Sequence, residues 1–296
     1  MKIYNAINKA SELLKENGII SSKLDSEILI SKVLGAERSN IILNISKELT
    51  EKEISIYNKL IQQRCKRKPI AYLTKKKEFW KYEFYVSKNV LIPRPDSELI
   101  VEKVLEFTKN KQSKNLLEIG VGSGCIILSI LKEKNNFYGT GIDISKKSLQ
   151  TCRINSDNLG VFNRLKLFKS DIDNFKYGKY DLIISNPPYI KKFDLKYLDK
   201  DVINYEPQSA LNGGLDGLSE IKKVVSNSTK LIKKNGILVL EIGFDQTEKI
   251  KEILRKNDFF TTFLISDKPS NPPSRANLGS KRATSLSKYF KSNLLI

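Results

Sequence analysis

From residue 115 onward, short apolar runs alternate with segments of helical periodicity, and few folds accommodate that order. The runs predict strands at 115–119, 137–142, 164–169, 180–185, 237–242 and 259–265. The intervening segments predict helices at 124–133, 145–155, 217–233 and 245–256. Most neighbouring runs are separated by a helix-length segment, so those strands lie parallel and the crossover helices cover the sheet. The chain therefore reads as a doubly wound α/β sheet.

What precedes the sheet is helical. Ile3, Ala6, Ile7, Ala10, Leu13 and Leu14 form one apolar stripe over 3–14. A second helix over 24–34 stops at Gly35, a natural C-cap. Thr50 and Glu53 make a capping box that opens a third helix, with Ile54, Tyr57, Leu60 and Ile61 inward and Pro69 closing it. Between 79 and 92 the alternating, aromatic-rich stretch predicts a β-hairpin. The expected organisation is a helical domain at 1–74, a hairpin linker at 75–94, the sheet domain at 95–267 and a basic tail at 268–296.

Composition narrows the chemistry. The chain has no histidine, and Cys65, Cys125 and Cys152 are far apart. A disulfide framework, a zinc site and a Cys–His pair are thereby set aside, no metal is expected, and each cysteine reads as a packing residue. Any general base must be a carboxylate, a tyrosine or a lysine, or the chemistry uses none. The net charge of +19 comes from 43 lysines and only nine arginines. Readers of nucleic-acid grooves lean more on arginine, so the excess reads as lysine-coated solvated faces. No apolar run is long enough for a membrane helix and no signal segment is evident, so the expectation is a cytoplasmic monomer without direct nucleic-acid contact.

The first strand runs into "LLEIGVGSGC", with Glu118 followed by Gly120, Gly122 and Gly124 at the mouth of a helix. Glycines let a backbone turn tightly and approach a ligand closely. The dinucleotide fingerprint needs a glycine where Cys125 stands, and no Lys-Ser/Thr pair follows to make a phosphate loop. The E-x-G-x-G-x-G spacing fits S-adenosylmethionine-dependent methyltransferases better. The second strand ends in "GIDIS", placing Asp143 where a carboxylate accepts both ribose hydroxyls. The third ends in "KSDI", where Asp171 and Ile172 are placed to edge and flank an adenine ring.

The fourth strand ends in "SNPPYI". Proline cannot donate to a β-ladder, so Pro187 and Pro188 stop the strand and lock its tip. An amide or aryl-amine nitrogen is a poor nucleophile because its lone pair is delocalised. Asn186 Oδ1 and the Pro187 carbonyl can accept its two N–H bonds and aim that lone pair at a methyl donor. Tyr189 offers a flat ring face to a flat group. The catalytic work is orientation and electrostatics. Adenine, cytosine, guanine and glutamine all satisfy this geometry.

Taken with "LDSEILISKVLGAERS", "KPIAYLTKKKEFWKYEFYV", "VLIPRPDSE", "YEPQSALNGGLDGL" and "LEIGFDQ", the chain from about residue 5 to 267 resembles the HemK-like peptide chain release factor glutamine methyltransferases. The resemblance implies a Rossmann-like class I S-adenosylmethionine-dependent methyltransferase sheet with a small N-terminal helical domain. It implies methyl transfer to the glutamine of the Gly-Gly-Gln loop of bacterial class I release factors, which the helical domain helps to grip. Donor-binding positions are then Glu118, Gly120, Val121, Gly122, Ser123, Gly124, Asp143, Asp171, Ile172 and Asn186. Asn186, Pro187, Pro188 and Tyr189 hold the glutamine, and Asn186, Pro187 and Tyr189 are the catalytic set. Glu118 and "PDSE" depart mildly from the usual aspartate and Pro-Glu-Thr-Glu.

Two rivals share this chemistry. One is a glutamine methyltransferase acting on a ribosomal protein. The other is a nucleic-acid amino-group methyltransferase, which would need a target-reading insertion that this chain lacks. Beyond Asp267 the resemblance lapses into a tail with six basic residues and no acidic one. Residues 268–281 are expected to be loosely ordered. Residues 282–290 make a poor candidate for the antiparallel strand that such sheets normally insert.

Overall fold

The structure, a computed structural model, describes residues 1–109, 112–260, 264–266 and 292–295. It divides into two compact units. Met1–Lys76 forms the first together with Lys200–Tyr205, a short piece contributed from far along the chain. Lys77–Asp199 and the described residues from Glu206 onward form the second.

The first unit is helical: α1 (Ile3–Glu16), α2 (Ser22–Leu34), α3 (Arg38–Leu43), α4 (Glu51–Cys65) and α5 (Ile70–Thr74). The apolar stripes expected of α1 and α4 meet in one core with Leu29 and Ile30 of α2, except that Leu13 of α1 is exposed. Gly35 caps α2 in the left-handed conformation, and the Thr50–Glu53 box is fully formed. Pro69 does not close α4, which ends at Cys65; it begins α5, where the missing N–H costs nothing. Arg64 is buried and bonds to Asp25 at 2.7 Å and to Asp201 at 2.6 Å. Asp201 lies on the inserted helix α9 (Lys200–Ile203), so this ion triad anchors the inserted piece.

The hairpin is real but earlier than its sequence suggested, with β1 (Lys76–Phe79) and β2 (Tyr82–Tyr85) joined at Trp80 and Lys81. Trp80 takes a positive φ of 57° to make the turn. Beyond Tyr85 the alternation marks burial instead of pairing: Val86, Val90 and Ile92 are buried outside any strand.

The second unit continues through α6 (Glu98–Phe107), β3 (Lys114–Ile119), α7 (Cys125–Glu133), β4 (Phe137–Asp143), α8 (Lys146–Asn158), β5 (Leu165–Lys169) and β6 (Tyr180–Ser185). After α9 come α10 (Ser219–Leu231), β7 (Ile232–Gly243), α11 (Thr247–Lys256), β8 (Leu264–Ser266) and β9 (Ser292–Leu295). The strand order is β5-β4-β3-β6-β7-β9-β8, with the first five parallel. One core packs α6 and α7 on one face of the sheet, and a second packs α10 and α11 on the other.

The inserted antiparallel strand exists. It is β9, which pairs with Leu240–Gly243 of β7 on one side and with β8 on the other. The stretches 268–281 and 282–290 lie outside the described residues. Among the described residues, no helix is long and apolar enough to cross a membrane.

Candidate functional site

The chain enters the parallel sheet at its centre, on β3. It builds β4 and β5 to one side, then crosses back to place β6 on the other. Such a switch point leaves a crevice at the carboxyl ends of the strands, where open α/β sheets take ligands. Here a cavity of about 740 Å³ opens, lined from the tips of β3, β4, β5 and β6.

The glycine loop follows β3. Gly120, Gly122 and Gly124 all hold positive φ, from 53° to 81°. Gly120 and Val121 donate their N–H groups to the Ile142 carbonyl, at 2.9 and 3.0 Å, which holds the loop against β4. Gly124 faces away from the cavity. A Cβ there would run into Cys152 Sγ and Leu128, so this glycine lets α7 start close to α8. Asn155, buried on α8, secures the loop from behind by donating to the Ser123 carbonyl at 2.8 Å.

Glu118 is only 2% exposed and accepts from the Ile127 N–H at 3.0 Å, satisfying an otherwise orphaned donor in the first turn of α7. Burial holds its carboxyl well above the usual range; the Ile127 bond opposes this and the Asp143 charge reinforces it. The folded state therefore binds this proton more tightly than the unfolded chain. That stability is complete below the ordinary carboxylate value, about 4.3, and is lost as pH rises through the raised one. Glu118→Gln keeps the acceptor and removes the titration. It is expected to match the parent near about pH 4 and to melt higher at neutral pH. Thermal melts of both proteins across that range check this, and parallel pH curves would contradict it.

Asp143 ends β4. Its two carboxylate oxygens accept from Gly122 N–H at 3.0 Å and Ser145 N–H at 2.8 Å. Burial raises its pKa, against the pull of those two N–H groups and the Ser148 hydroxyl. The Ser148 hydroxyl gives its one hydrogen to the Asn89 carbonyl at 3.2 Å, so of about four lone-pair sites on the carboxylate the two N–H groups fill two and two remain for ligand hydroxyls. Asp171 and Ile172 line the same cavity; Ile172 is buried, while both Asp171 oxygens accept from Asn174.

Across the cavity stand Asn186, Pro187 and Pro188. Asn186 donates from Nδ2 to Ser97 Oγ at 3.1 Å, leaving Oδ1 without a protein partner among the described residues. Tyr189 lies behind them, on a small void of about 20 Å³ shared with Arg94 and Glu241. The structure thus gathers all the proposed donor and glutamine positions around one cavity, save Gly124 beneath the loop and Tyr189 behind the prolines. The expectation for Tyr189 concerned its ring face; burial, followed by the nearby Glu241 carboxylate, raises the pKa of its hydroxyl well above the ordinary value.

Several supporting residues carried no role in the sequence reading. Gln246, buried, donates to the carbonyls of Tyr189 at 3.0 Å and Gly217 at 3.1 Å. Gly217 has φ +74, and a Cβ there would collide with the Tyr189 carbonyl oxygen. Glu206 bonds to Arg94 at 2.5 Å and to the Ile92 N–H at 3.1 Å, joining the "IPRP" and "YEPQ" loops on the cavity wall. Their motifs were visible, but no local signal says what each side chain meets. Cys152 is buried and Cys125 and Cys65 are partly so, each against a core. Burial, with help from the Glu118 charge, raises the thiol pKa of Cys125 and Cys152, so both stay protonated.

This sheet order with a glycine loop and a strand-tip carboxylate is the architecture of a Rossmann-like, S-adenosylmethionine-dependent methyltransferase. Residues 96–214 match the family model "Methyltransferase small domain", and the solved hMettl16 catalytic domain in complex with MAT2A 3′UTR hairpin 6 shares the fold. That likeness has a TM-score of 0.53 at 14% identity, over 72% of this chain and 73% of that one.

Residues 5–74 match the "PrmC N-terminal domain" model. The release factor glutamine methyltransferase of Clostridium acetobutylicum is 38% identical over 262 residues, 88% of this chain and 92% of that protein. Its namesake from Buchnera aphidicola subsp. Acyrthosiphon pisum is 36% identical over 95% of this chain and 99% of its own. The chain belongs to the release factor glutamine methyltransferase family.

Proposed function

We propose that this protein methylates the side-chain amide nitrogen of the glutamine in the Gly-Gly-Gln loop of bacterial class I release factors. The observation that carries the reading is the Asn186 amide. With its NH₂ spent on Ser97, it offers an oxygen to the cavity at the tip of β6. S-adenosylmethionine, when bound, supplies an electrophilic methyl on a sulfonium.

The chain's own residues do the rest. The loop Gly120–Gly124 admits the donor close to the backbone, and Asp143 takes the ribose hydroxyls with its remaining lone pairs. Ile172 gives the adenine an apolar flank, and Asp171 lies at its edge. Asn186 Oδ1 and the Pro187 carbonyl accept the two N–H bonds of the glutamine amide. That turns the nitrogen lone pair toward the methyl group, while Pro187 and Pro188 keep the acceptors rigid. As positive charge grows on nitrogen both hydrogen bonds strengthen, so they lower the barrier more than they tighten binding. The extra proton then leaves to solvent, and no histidine is required.

Two experiments bear on this reading. Asp143→Ala is expected to weaken S-adenosylmethionine binding by about 10- to 100-fold, the loss of charge-assisted hydrogen bonds. Calorimetry with equal affinity in parent and variant would remove the ribose role. For the acceptor, labelled methyl transfer to purified release factor is compared with transfer to ribosomes and to DNA. Label in the release factor alone is the expected result, and label in ribosomal protein or nucleic acid would transfer the assignment to a rival.

A further inference from the structure

An asparagine amide can sit in a site two ways, and only one presents the oxygen. Nothing in Asn-Pro-Pro-Tyr itself makes that choice. We propose that Glu241 is a positioning residue which, acting through Ser97, fixes the Asn186 amide with its oxygen toward the glutamine. The inference rests on the role given to Asn186 above and adds what sets its orientation.

The chain of hydrogen bonds has a direction. Asn186 Nδ2 donates to Ser97 Oγ at 3.1 Å, and Ser97 Oγ donates to Glu241 Oε2 at 2.6 Å. A hydroxyl has one hydrogen. Because the short bond to Glu241 uses it, Ser97 can only accept from Asn186. A flipped Asn186 would set its oxygen against the Ser97 oxygen, two acceptors with no proton between them. Glu241 Oε2 accepts at the end of this chain, so both donors point toward it.

The same side chain borders, with Asn186 and Tyr189, the small void behind the prolines. Ser97 and Glu241 are each only 3% exposed. A carboxylate in such a place is costly unless its hydrogen bonds are specific, and a leucine would fill the volume with no such cost. Glu241 is also not part of the donor-binding loop: it lies on β7, in the segment that pairs with β9.

The test compares Glu241→Leu, Glu241→Gln and Ser97→Ala, each in the parent and in an Asn186→Ala background. Release factor methylation gives kcat and KM, and calorimetry gives donor affinity. Glu241→Leu and Ser97→Ala are expected to lower kcat by about 10- to 50-fold, with donor affinity within about twofold of the parent. Glu241→Gln keeps an acceptor for Ser97 and should recover most of the turnover lost with leucine. In the Asn186→Ala background, removing Glu241 or Ser97 should cost less than about twofold more, because both act through the missing amide.

Parental kcat in Ser97→Ala overturns the proposal, as does a loss that is fully additive with Asn186→Ala, the mark of a purely structural role. Should Glu241→Leu fail to fold, the smaller Ser97→Ala change decides alone. Failure of the underlying site reading shows itself separately, as normal turnover in Asn186→Ala by itself.

Discussion

Replacing Asn186 by alanine is expected to lower turnover by about 10²- to 10³-fold, the effect of removing one preorganised polar contact from a transition state. Donor affinity should change little, because the glycine loop and Asp143 stand on other strand tips and are untouched. The split follows from where charge appears. In the ground state the glutamine amide is neutral and its N–H bonds to Asn186 and Pro187 are ordinary. In the transition state the nitrogen becomes positive, and the same acceptors are worth more. The loss therefore falls on kcat more than on KM. Steady-state kinetics on release factor, with calorimetry of the donor, measures both. An Asn186→Ala variant with parental kcat would show that the amide oxygen plays no part in the chemistry.

Removing residues 268–296 is expected to lower the melting temperature by about 10–20 °C or to drive the protein into aggregates. The physical reason is the place of β9. It pairs at four positions with β7 and at three with β8, so its loss bares one strand edge and leaves β8 with no partner in the ladder. At about 0.5–1.5 kcal/mol net per lost backbone hydrogen bond, the cost is on the order of 5 kcal/mol, a large share of an ordinary domain's stability. Glu241 pairs with Leu294 in this register, so turnover should fall together with stability. Scanning calorimetry and light scattering on the shortened chain check the prediction. Parental melting would mean that the sheet does not depend on the inserted strand.

Much of this fold could be read before any coordinates, for reasons of locality. Two prolines cannot continue a ladder, so the sequence ends a strand at 185, and β6 runs from Tyr180 to Ser185. The Thr50–Glu53 box needs only residues three apart and forms as its spacing implied. The parallel order follows from the helix-length segments between most neighbouring runs, and parallel strands covered on both faces bury continuous runs. β3 accordingly buries Leu116, Leu117, Glu118 and Ile119 in succession.

What escaped is non-local. The alternation at 79–92 looked like pairing, but a two-residue turn at Trp80 and Lys81 closes the hairpin early and the later apolar residues pack instead. The short helices α3 and α5 are too brief to show a period. The β9 strand follows a polar, proline-containing tail, and its four residues pair with β7 about 50 positions upstream. Ser97, Glu241 and Gln246 are ordinary polar residues in one dimension. Their meaning comes from partners far along the chain: Ser97 meets Asn186 across 89 residues and Glu241 across 144, and Gln246 meets the Tyr189 carbonyl across 57.

The central claim is that this cavity holds a glutamine amide with its nitrogen facing the donor, and the most direct measurement is where the methyl lands. Release factor incubated with the protein and S-adenosylmethionine is digested, and the peptide carrying Gly-Gly-Gln is sequenced by tandem mass spectrometry. A single added methyl on the glutamine side-chain nitrogen is the expected result, lost when Asn186 is replaced by alanine. An unmodified glutamine, or a methyl on another residue, would contradict it.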